Sequence, residues 1–193
     1  SSGGKGGSIT LSVGDGDTGV GGDITVNAGH TTASFGTTGG AISLQSGESA
    51  LTSSGGISMV TPNAGSAGIS GNIAFKSGAS SSGNTGTIQL TSGNSSGGKG
   101  GSITLSVGDG DTDVGGDITV NAGHTTADSK AGGVVAIQSG GSTNGRSGKV
   151  SLSTLTGGVS GNIEMETGVS SVGASGVITL KTGTSSGGKG GSI

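Results

Sequence analysis

Short stretches of this chain alternate apolar and polar residues, and Gly-, Ser- and Thr-rich stretches separate them. GSITLSV at 7–13, GNIAFKS at 71–77 and GVITLKT at 176–182 show the pattern. Alternation with a period of two predicts half-buried β-strands. Segments such as GDGDTGVG and GASSSGNTG between them carry turn chemistry. Gly recurs too often for helix, and no spacing of 3.6 appears. The unit reads G-x-I-x-L-x-S-G plus about seven small or polar residues. Its central residues are Ile9, Ile24, Ile42, Ile57, Ile73, Ile88, Ile103, Ile118, Val135, Val150, Ile163, Ile178 and Ile193, mostly 15 positions apart.

A longer period lies over the short one. Ser1–Ala33 returns as Ser95–Ala127 with one change, Gly19 becoming Asp113, and SSGGKGGSI returns again at 185–193. The array therefore divides at 1–94 and 95–184, with a third super-repeat starting at 185. Residues 1–193 read as one continuous array excerpted from a longer chain, since neither end looks like a polar capping repeat.

Residue character also returns every third unit. The residue after next from the central Ile is Val26, Phe75, Val120 or Met165 in one class and Leu44, Leu90, Ile137 or Leu180 in another. In the third class it is Leu11, Met59, Leu105 or Leu152. The expectation is an all-β fold, a parallel β-solenoid (β-helix) with three units of ~15 residues in each ~46-residue coil. Four such coils would span about 20 Å; one unit per coil, the competing expectation, would give about 60 Å. Either column would have to be cooperative. Two or three buried side chains supply ~1.5–3 kcal/mol each, whereas ordering each residue costs ~1–2 kcal/mol.

Composition narrows the function classes. With 49 Gly in 193 residues, two Phe, no Trp and no Tyr, a conventional core is not expected. A Gly/Ser-rich chain without a period would read as a linker, but the period argues for order. No Cys means no disulfide and no thiolate metal site. A net charge of −3 gives no electrostatic footprint for nucleic acid. No apolar run reaches the ~20 residues of a membrane span.

Candidate chemistry is sparse. Asp109, Asp111, Asp113 and Asp117 fall at positions 1, 3, 5 and 9 of a calcium-type loop, with Val120 where the bidentate Glu of position 12 belongs. The sister loop keeps Asp15, Asp17 and Asp23. Calcium is the one candidate cofactor, and the alternative is a solvated turn held by local Asp hydrogen bonds. His30 and His124 read as turn residues. Glu164 and Glu166, with Lys181 one unit on, could imitate an acid–base pair, but other units have no equivalents, so no enzyme is expected. Lys5, Lys99, Arg146 and Lys189 could form a basic line for acidic polysaccharide. Outward Thr residues such as Thr10, Thr25, Thr104 and Thr119 suggest ice binding, but Ala74, Lys76, Glu164 and Glu166 interrupt the rows. GGKGG lacks the spacing of a phosphate loop, and Asn94-Ser-Ser96 is a glycosylation sequon.

Units such as GGSITLSVGDGDTGVGGDITVNAG and SGNTGTIQLTSGNSSGGKG resemble the long Gly/Ser/Thr-rich tandem-repeat proteins of diatoms and other algae, and more loosely repetitive bacterial adhesins. Calcium-binding repeats with G-G-x-G-x-D loops are a poorer match, because their nine-residue period is missing. The resemblance implies a secreted or cell-surface structural protein of a filament, matrix or adhesive. Its partners would be copies of itself or further repeats, end to end or side by side. A surface module binding ice, calcium or glycan is the alternative.

Overall fold

The computed structural model describes residues 4–193. Among them there is no helix and no β-strand. The expected all-β parallel β-solenoid, with three units per ~46-residue coil, is therefore not the fold of this chain. Nor is a β-helix with one unit per coil. A strand exists only where its backbone donors meet a neighbour's acceptors in a ladder. The backbone bonds linking successive arms here are isolated ones at turn bases.

The chain falls into two units, Ser1–Gly93 and Asn94–Ile193. In both, the repeat sets up the same local construction. An unbent run carries each apolar segment; we call 40–46 and its counterparts arms. Between arms the chain bends sharply, at 17–19, 34–36, 50–52, 66–68 and 81–83 in the first unit. In the second unit the bends fall at 96–98, 111–113, 127–129, 143–145, 158–159, 171–173 and 186–188.

Bends form the tips of loops, and four of these are pinched at the base by a backbone bond. There the Gly two positions before a central Ile or Val bonds to the residue five positions after the preceding one. The Gly40 N–H donates to Gly29 O at 2.8 Å and the Gly55 N–H to Gly47 O at 2.9 Å. The second unit repeats both: Gly133 N–H to Gly123 O at 2.8 Å and Gly148 N–H to Gly140 O at 2.9 Å. The Ser46 hydroxyl adds a bond to Gly55 O at 3.0 Å. Loop tips are closed by hydroxyl groups. The Gly83 N–H donates to Ser80 Oγ and the Gly145 N–H to Ser142 Oγ, both at 2.9 Å. These are compact loops whose ends meet, stitched by short-range polar bonds of the kind Ser and Thr favour.

Loop length varies while the base does not. The bond closing the loop from Gly29 to Gly40 matches the one closing the shorter loop from Gly47 to Gly55 to within 0.1 Å. The irregular spacing of the central Ile residues is thus taken up inside the loops.

No residue among those described is buried. The few partly shielded ones are hydroxyl residues: Ser46, Thr61 and Ser77 at loop bases, and Thr31 and Thr125 within the longer loops. The apolar residues lie outside, though not equally. Ile42, beside a loop base, is 54% exposed and Leu44 is 73% exposed. Ile9, in the first arm, is 101% exposed. The chain exposes 18,996 Å², more than twice the about 7,900 Å² of a compact monomer of its mass.

The Ser46 hydroxyl gives a first test. Removing one hydrogen bond typically costs ~0.5–1.5 kcal/mol. Ser46→Ala should therefore raise the temperature coefficient of the Gly55 amide proton by NMR and leave that of Gly148 unchanged.

Candidate functional site

The sequence candidates sit on two different parts of this architecture. Asp15 and Asp17 lie in the pinched loop between Val13 and Gly22, and Asp109, Asp111 and Asp113 in its counterpart between Val107 and Gly116. These loops are tightly folded at the tip. A Cβ on Gly16 would lie 2.7 Å from the carbonyl oxygens of both Gly19 and Val20. A Cβ on Gly110 would lie 2.9 Å from Asp113 O and 3.1 Å from Val114 O. Only glycine fits so close to two backbone carbonyls.

The carboxylates serve this turn locally. Asp113 Oδ1 accepts the Val114 N–H at 2.7 Å, and Asp17 Oδ1 accepts the Thr18 hydroxyl at 3.3 Å. Asp23 and Asp117 stand outside their loops, just beyond the base glycines Gly22 and Gly116. Positions 1, 3 and 5 of the calcium-type spacing therefore share a loop, while position 9 falls on the next arm. Among the described residues no group of three or more His, Asp or Glu is placed to hold a metal ion.

The remaining candidates are all exposed. His30 and His124 follow Gly29 and Gly123, the acceptors at two loop bases. Glu164, Glu166 and Lys181 lie on arms, and no pocket forms around them or elsewhere among the described residues. Lys5, Lys99, Arg146 and Lys189 lie on the legs of loops that lead into an arm. No described helix is long and apolar enough to cross a membrane.

Two features went unread at the level of sequence. The first is the base contact itself. Gly stands two positions before every central Ile or Val, from Gly7 to Gly191. The residue it meets, four positions after the previous centre, is always Ser, Thr, Ala or Val. The next position is Gly except at Pro62 and Leu155, which open loops of other than the commonest length. That double recurrence was the available signal.

The second feature is a division of charge between alternate positions of each arm. The positions in step with the central Ile hold Gly, the Ile or Val, then Leu, Val, Phe, Met or Ile, then a small residue, with no charge in any arm. Every charge on an arm falls at the intervening positions: Asp23, Lys76, Asp117, Lys149, Glu164, Glu166 and Lys181.

Comparison of the chain with family models, with curated proteins and with solved structures finds no match.

Proposed function

We propose that this chain is a structural repeat protein of an extracellular filament, matrix or adhesive, and that it acts mechanically through its pinched loops. The observation that supports this most is the recurrence of the same weakly closed loop, at Gly40, Gly55, Gly133 and Gly148, with no core among the described residues. The bases at Gly40, Gly55, Gly133 and Gly148 are held by one or two hydrogen bonds, worth ~0.5–1.5 kcal/mol apiece. Tension along the backbone would open such a base before it broke any covalent bond. A loop such as 46–55 would then release up to about 30 Å of hidden chain. Because the loops closed at Gly40 and Gly55 differ in length but share one type of base, they would open over a similar range of force. The result is an extensible thread that dissipates work by opening loops and recovers when they close.

Force spectroscopy on the full chain tests this. Stretching should show reversible lengthening in small steps of about 30 Å at low force, with extension and relaxation curves nearly overlapping. Electron microscopy with a specific antibody should place the protein in extracellular fibrous or adhesive material. Dispersed single chains inside cells would overturn the reading.

A further inference from the structure

We propose that Asn144 is a self-modification site, at which the backbone nitrogen of Gly145 attacks the asparagine side chain at a rate held down by the Ser142 hydroxyl. The site lies wholly within the second unit. It needs neither a partner nor a catalyst, so it does not depend on the mechanical reading above. Asn144 is the one asparagine of the chain that glycine follows. Every other asparagine precedes a residue with a Cβ, such as Ala28, Ile73 or Thr85, and that carbon crowds the ring that the attack must close. Glycine has no such carbon and turns freely into the required backbone conformation. Asn144 is also exposed and sits within the bend at 143–145. This bend is the tip of the loop that the Gly148 N–H closes on Gly140 O at 2.9 Å. Water, the second reactant, reaches it without hindrance.

The attacking nitrogen has a keeper. The Gly145 N–H donates to Ser142 Oγ at 2.9 Å. The loop closed at Gly55 has the same tip, where the Thr52 N–H donates to Ser49 Oγ at 3.0 Å, but Leu51 precedes that amide and offers nothing to attack. Reaction at Gly145 begins when the amide leaves Ser142 and gives its proton to solvent. Its nitrogen then bonds to Asn144 Cγ, the bond from Cγ to Nδ2 breaks, and the side-chain nitrogen takes up a proton and leaves as ammonia. Water opens the resulting succinimide at either carbonyl, giving aspartate or isoaspartate. One water is consumed and one ammonia is released. Both products place a carboxylate two positions from Arg146, the single charged residue between Gly140 and Gly148, and so cancel the loop's positive charge. Isoaspartate also adds one carbon to the main chain inside a loop whose ends are pinned. Lengthening a loop costs little, so the base at Gly148 should survive the change.

Prolonged incubation of the full chain in warm, mildly alkaline buffer, followed by tryptic peptide mapping with mass spectrometry, provides the test. The peptide 131–146 should split into amide, aspartate and isoaspartate forms. The peptide holding Asn84 in the same sample should keep its amide and serves as the internal standard. Ser142→Ala frees the Gly145 amide and should speed conversion about two- to tenfold, the rate equivalent of one hydrogen bond. Ser142→Thr keeps a hydroxyl and should convert at the wild-type rate. Conversion at Asn144 no faster than at Asn84 would overturn the site. Equal or slower conversion in Ser142→Ala would overturn its control by the hydroxyl. Force spectroscopy and the location of the native material decide the mechanical reading separately.

Discussion

Replacing Gly16 or Gly110 by alanine should open the acidic loop in which it sits, while the same change at Gly19 should do nothing. The Gly16 Cβ would meet two backbone carbonyl oxygens at 2.7 Å, and the Gly110 Cβ would meet its own pair at 2.9 and 3.1 Å. A side chain in the way can rotate aside, but a carbonyl can move only if the turn moves with it. Overpacking of this kind costs ~1–3 kcal/mol. The short-range bonds of such a turn, worth ~0.5–1.5 kcal/mol each, leave little margin against that. The closed population should therefore fall about tenfold or more. Nothing lies within 4 Å of a Cβ on Gly19, and the sister loop carries Asp113 at that position. The chain has no cysteine, so spin labels at Ser12→Cys and Asp23→Cys report on this loop alone. Their distance distribution should broaden and lengthen in Gly16→Ala and remain narrow in Gly19→Ala. Identical distributions in the two variants would show that the tip geometry is not what holds the loop shut.

Much of the local construction can be read from the sequence, and the physical reason is that it is local. Alternation in GSITLSV-type segments marks runs without turns, and the structure keeps those runs unbent. Gly, Ser and Asp between them mark the bends, and every bend falls there. What alternation cannot specify is a partner. A strand in a ladder depends on a second segment, and here all arms are nearly alike. Register is weakly specified when many pairings are equivalent. The expectation of three sheets rested on residues such as Val26, Phe75, Val120 and Met165 sharing a class. The structure brings no ladder out of that likeness. The acidic loops show the same divide. The spacing of Asp109, Asp111 and Asp113 is sequence information, but the pinch at Gly116 puts Asp117 on a different element. Composition carried a further message. A chain with 49 glycines and two aromatics has little to bury and much backbone entropy to lose. Pinched loops order only a few residues at a time, and a column would have to order all of them.

Insertions should separate the two halves of the repeat more sharply than any point substitution. Adding three residues at the tip of the loop between Ser77 and Gly86 lengthens a segment whose ends are already pinned. Loop-closure entropy grows only as the logarithm of length, so the added cost is about 0.3 kcal/mol. The existing loops already span this range, since Gly40 closes on Gly29 as tightly as Gly55 closes on Gly47. Base contacts on either side should persist, and NMR shifts outside the loop should stay in place. Adding one residue between Thr104 and Leu105 is a different matter. Every later residue of that arm would be displaced by one position. Leu105 would stand where other arms carry charge, and Val107 could no longer meet Gly116. The following loop should lose its base, so amide shifts from 103 to 118 should all move. If the single-residue insertion leaves Gly116 and Ile118 unshifted, the position of Val107 along the arm is not what sets the base at Gly116.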